Sequence, residues 1–92
     1  MAKAETTRKQ RREYILNKVY KGEKINRKTL AFENGVSLVT ATMDMRIFRA
    51  MYPGLIDYDT SSREWVIIGQ LKDYGHLLRF DAGQDRFYER EE

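Results

Sequence analysis

The sequence has no cysteine, one histidine (His76), one proline (Pro53) and no apolar run long enough to cross a bilayer. Without cysteine there are no disulfides, no thiolate metal sites and no cysteine nucleophile. A lone His76 has no cysteine or second histidine to complete a metal site, and it is read as a solvated or turn residue. The chain around Met1 is charged where a secretory signal needs an apolar stretch, so the expectation is a soluble, cytoplasmic protein with no membrane partner. Catalysis has no footing either. No phosphate loop or nucleophile arrangement occurs, and Asp57 and Asp59, which flank Tyr58, read as the edge of a hairpin. The chain is expected to use no cofactor or metal and not to be an enzyme.

What is present is enough apolar material, 41% of 92 residues, for one small core of the kind that gains from dimerisation. The net charge of +3 conceals an uneven distribution. Residues 1–54 carry twelve Lys and Arg against five Asp and Glu (+7), and residues 55–92 carry five against nine (−4). Basic residues gather in "RKQRR" (Arg8 to Arg12) and "KGEKINRK" (Lys21 to Lys28). That is the footprint of a polyanion binder, or simply of solvated helix faces.

Along the chain, residues 1–6 lack apolar content and read as a flexible arm. Thr6 or Thr7 caps a first helix to about Lys21, with Ile15, Leu16, Val19 and Tyr20 on one side at helical spacing, and Gly22 stops it. Asn26 caps a second helix through Glu33, with Leu30 and Ala31 inward. Asn34 and Gly35 tolerate the left-handed conformation that a tight inter-helix turn requires. Ser37 then caps a third helix that Pro53 and Gly54 end.

Beyond Gly54 the period changes. "LIDYDTSSREWVII" (Leu55 to Ile68) reads as a β-hairpin about "DTSS", and a related pattern returns 22 residues later in "LLRFDAGQDRFY" (Leu77 to Tyr88), a candidate second hairpin. The segment between, "GQLKDYGH", is read as either a helical turn or a loop. The expected fold is α+β, a winged helix-turn-helix of three helices and a β-hairpin wing over residues 7–68, with a C-terminal extension over 69–92.

The stretch Ile25 to Val66 resembles the N-terminal winged helix of WYL-domain transcriptional regulators, and more distantly DeoR-type domains. The likeness is carried by Arg27 and Leu30, "GVS" at Gly35 to Ser37, Ala41 and Asp44, "YPGLIDYD" and "REWV". It implies a DNA-binding regulator. The 24 residues after Ile68 are too few for the ligand-sensing WYL domain, so no small-molecule response carries over, and the extension is expected to serve dimerisation. Its acidic end, "DRFYEREE", would fray or pair with the basic half of a neighbouring subunit.

On a helical wheel the third helix turns Ala41, Met45, Phe48 and Tyr52 to the core. Its opposite side presents Val39, Met43, Arg46 and Ala50, with Thr40, Thr42 and Ile47 at the edges. Thr40, Thr42, Met43 and Arg46 are the candidate base readers, Arg46 for guanine and the methyl groups for thymine. Candidate phosphate contacts are Arg8, Arg11, Arg12, Lys24, Arg27, Lys28, Ser37 and Arg63, of which only Arg63 lies in the wing, next to Asp59 and Glu64. Tyr58, Trp65 and Phe80 stand at alternating strand positions, where packing is the commoner use than base stacking. The expected partners are double-stranded DNA and a second copy of the chain. The alternative is a protein-interaction module, such as a phage or mobile-element factor that occupies a host protein through Val39 and Met43.

Overall fold

Thr7 fixes the start of the first helix in the computed structural model, which describes residues 5–91. Its hydroxyl accepts from the Gln10 amide at 3.1 Å, and its own amide donates to the Gln10 side chain at 2.8 Å, a reciprocal capping box. Helix α1 (Arg8–Lys21) ends at Gly22, and α2 (Arg27–Asn34) starts from Asn26, whose side chain accepts from the Lys28 and Thr29 amides. Gly35, at φ 66°, ends α2 in the left-handed region, where a Cβ is disfavoured. Ser37 then caps α3 (Leu38–Met51) by accepting from the Thr40 amide.

The fold is α+β. After α3 come β1 (Ile56–Asp59) and β2 (Glu64–Ile67), a 3-10 helix at Leu71–Leu77 with a kink at Tyr74, then β3 (Leu78–Asp81) and β4 (Arg86–Glu89). The undecided "GQLKDYGH" segment is thus largely helical. Each strand pair forms its own two-stranded antiparallel sheet. Gly69 lets the chain close behind the first hairpin, because a Cβ there would lie 2.0 Å from the Gly54 carbonyl oxygen.

The 22-residue repeat is structural. Tyr58 pairs with Trp65 and Phe80 with Phe87 in the same register, and the last turn residue of each hairpin, Arg63 and Asp85, has positive φ. Asp59 accepts from the Ser61 and Ser62 amides, and Asp81 accepts from the Gln84 amide. Each carboxylate thereby forms the local turn that its sequence position favours.

Ile15, Leu16 and Val19 of α1, Leu30 and Ala31 of α2, and Ala41, Met45 and Phe48 of α3 meet Tyr52, Leu55 and Ile56 in one core. The face expected for α3 is therefore the buried one. The second hairpin joins through α1 of its own chain, so its inner face is not free for a partner subunit. The Asn17 side chain accepts from the Phe87 amide at 2.7 Å and donates to the Phe87 carbonyl at 3.0 Å, closing the edge of β4. Tyr20 packs edge-on against Phe80 and Phe87. The acidic end pairs within the chain as well, Glu89 with Arg12 and Glu91 with Lys9.

Of the expected flexible arm, residues 1–4 lie outside the described residues. Thr6 is held in place: its amide donates to the Asn34 carbonyl at 3.1 Å and its hydroxyl to Asn34 Oδ1 at 3.0 Å. No helix among the described residues is long and apolar enough to cross a membrane.

Candidate functional site

The start of α2, the exposed side of α3 and the first hairpin enclose an open groove of about 750 Å³. Among the described residues six cationic side chains line it, Lys24, Arg27, Lys28, Arg46, Arg49 and Arg63, with Glu64 the one acid. Arg27 and Lys28 occupy the first turn of α2, which holds no acidic residue. Cations there oppose the helix dipole, so this corner has a positive potential that an anion would relieve.

Other side chains already neutralise part of the groove. Lys24 pairs with Glu64 at 2.8 Å, and Arg49 pairs with Asp57 at 3.3 Å while lying 5.8 Å from the Trp65 ring centroid. Among the described residues Arg27, Lys28, Arg46 and Arg63 have no ion-pair partner. Arg63 was expected to share its tip with two acids. Instead Asp59 is turned into its own loop, where the Ser61 and then the Ser62 amide hold its carboxyl below the usual value, and Glu64 is on Lys24. The hairpin tip thus presents Arg63 with less compensation than its neighbours in sequence suggest.

The candidate base readers separate into two groups. Thr42 and Arg46 line the groove, but Thr40 and Met43 do not. The Thr42 hydroxyl donates to the Leu38 carbonyl at 2.8 Å, which leaves it a methyl group and a lone pair that Arg27 approaches at 3.4 Å. Thr40 is half-buried, and its hydroxyl accepts from the Ser37 hydroxyl at 3.1 Å. Met43 is exposed beside Val39, itself 76% exposed.

The phosphate set divides as well. Lys24, Arg27, Lys28 and Arg63 converge on the groove, while Arg8 and Ser37 are exposed outside it. Arg11 is a correction. It is only 4% exposed, donates from Nε to Asp44 at 2.6 Å and binds the Thr6 carbonyl, so no charge is left to offer an anion. Arg12 lies outside the groove, half-buried, and its guanidinium donates twice to Glu89, each bond 2.8 Å long, so its charge is compensated where it sits. Arg11 thus ties α1 to α3, and Arg12 ties α1 to β4.

Arg49 was missed by sequence reasoning, although its place three residues after Arg46 puts it on a neighbouring part of the same helix face. Tyr58 and Trp65 also line the groove, their rings edge-to-face at 5.4 Å. Trp65 packs against the core, as a strand aromatic should, whereas Tyr58 stays exposed. The assembled surface carries the charge complement of a polyanion, with the exposed Tyr58 ring and guanidinium groups beside it. His76 is exposed, and no three potential metal-ligating side chains converge among the described residues. The chain matches no protein-family model and no curated protein, and no solved structure matches it.

Proposed function

We propose that the protein is a small sequence-specific regulator that binds double-stranded DNA as a winged helix-turn-helix, with α3 in the major groove and the first hairpin as its wing. The observation that carries this reading is the convergence of Arg27, Lys28, Arg46 and Arg63, none ion-paired among the described residues, on one groove beside the exposed side of α3. Arg27, Lys28 and Arg63 hold the phosphates, and Arg46 and Thr42 touch base edges. A homodimer reads a two-fold operator with its α3 helices about 34 Å apart. The lineage suggested by the sequence, the DNA-binding part of WYL-type regulators in the cytoplasm, belongs to the same proposal.

The test is selection of duplexes from a random pool by the parent and by Arg46→Ala. The parent should enrich a two-fold motif, and Arg46→Ala should keep its hold on DNA but lose preference at one position in each half-site. A folded parent that retains no duplex at low salt would end the reading. One observation favours a second reading, a host-protein contact: Phe32, at 73% exposed, and Val39 and Met43 are apolar and solvent-facing. Under that reading Val39→Asp, and not Arg46→Ala, would abolish the activity.

A further inference from the structure

The two hairpins share strand length, register and turn, yet their outer faces differ in charge. Opposite the Tyr58 and Trp65 side, the first hairpin carries Asp57, Asp59, Glu64 and Val66. At the same positions the second carries Arg79, Asp81, Arg86 and Tyr88. Arginine stands where Asp57 and Glu64 stood. Both arginines lie 4.7 Å from the Tyr88 ring centroid, so the ring carries a guanidinium group from each strand. Among the described residues neither has an ion-pair partner, and Asp81 is turned into its own loop toward the Gln84 amide. The Nε of Arg86 is buried with no hydrogen-bond acceptor.

We infer that the outer face of the second hairpin docks on the outer face of the first hairpin of a second copy of this chain, Arg79 and Arg86 meeting Asp57 and Glu64. The repeated geometry gives the two acids and the two arginines equivalent positions on their strands, so both ion pairs can form at once. Opposite charge across such a face fixes partner and register. Two contacts of this kind about a two-fold axis close a dimer, and each copy uses both hairpins. The intramolecular pairs to be given up, Asp57 with Arg49 and Glu64 with Lys24, are exposed and so exchange readily.

Their exchange has a consequence for the groove, and this part rests on the DNA-binding reading. Once Asp57 and Glu64 turn to the partner's arginines, Arg49 and Lys24 are released into the groove they line. Because the released cations favour phosphate, reciprocity requires phosphate binding to favour self-association by the same factor.

Sedimentation velocity without DNA tests the docking by itself. One variant makes the first face basic (Asp57→Lys with Glu64→Lys), and another makes the second face acidic (Arg79→Glu with Arg86→Glu). Arg79→Glu alone serves if loss of Arg86, whose Nε is buried, unfolds the chain, and circular dichroism reports folding. The parent should associate at low salt and disperse as salt rises. Each variant alone should be monomeric, and their equimolar mixture should regain association to within about tenfold of the parent. A parent that stays monomeric, a folded variant that associates like the parent, or a mixture that stays monomeric would each overturn the docking. If the parent is monomeric and the acidic-face variant instead loses duplex affinity, the second hairpin is a DNA contact and the docking fails while the function stands. A parent that associates but ignores duplex DNA keeps the docking and removes the function.

Discussion

Arg11 and Asp44 stand 33 positions apart and meet at 2.6 Å, Nε to Oδ2, both buried between α1 and α3. The same guanidinium reaches the Thr6 carbonyl, and Thr6 in turn holds Asn34 at the end of α2. One ion pair therefore ties Thr6, just before α1, to the turn that aims α3. Truncating a single member leaves a buried charge without compensation. Asp44→Ala should lose about 3–5 kcal/mol in urea unfolding, whereas Arg11→Met combined with Asp44→Leu should recover most of it. A loss below about 1 kcal/mol for Asp44→Ala would show that the pair contributes little.

Glu89 anchors the second hairpin by accepting from Arg12 and, at 2.7 Å, from the Tyr52 hydroxyl. Burial alone would raise its pKa, but hydrogen bonds from Arg12 and Tyr52 and the charges of Arg12 and Lys9 together outweigh burial, and the net shift is downward. A carboxyl depressed in the folded state stabilises above its unfolded value, about 4.3, and the contribution is lost as pH falls through the folded value. The urea midpoint should drop through that acid range in the parent and drop less in Glu89→Gln. Equal acid dependence in the two proteins would exclude Glu89 as the source.

Arg63 and Asp85 occupy equivalent left-handed positions, φ 59° and 53°. Arg63→Gly should remove the backbone penalty, leaving stability unchanged or raised by up to about 1 kcal/mol, and should weaken duplex binding. Asp85→Gly relieves the same strain but loses the hydrogen bond from the Tyr20 hydroxyl at 2.6 Å, so it should be the less stable of the two in thermal melts. The reverse order would mean that the Tyr20 hydrogen bond adds nothing to the stability of the second turn.

Much of this architecture was legible because it is local. Thr7, Asn26 and Ser37 are caps by residue type, Gly22 and Gly35 are stops by conformation, and the 22-residue repeat of the first hairpin's pattern predicted the second hairpin. The basic cluster "RKQRR" misled because composition was read without periodicity. Arg11 lies four residues before Ile15 and eight before Val19, on the core stripe, while Arg8 points outward. Its partner Asp44 lies between Ala41 and Phe48 on the inward side of α3, a position where an acid signals a buried cation somewhere in the chain. Which cation it is depends on tertiary packing and could not be read locally. The release of Arg63 from its acidic neighbours was hidden for the same reason, since Glu64 finds Lys24 across the fold.

The most direct test of the central claim is the salt dependence of binding to random-sequence duplex DNA, measured for the parent and for a variant with Arg27→Ala, Lys28→Ala and Arg46→Ala. The parent's log affinity should fall steeply with log salt concentration. Each phosphate contact removed should reduce the slope by about 0.9, and the loss of Arg27 and Lys28 by roughly 2. Parent and variant with the same slope, or a folded parent with no affinity at low salt, would contradict the account of the groove.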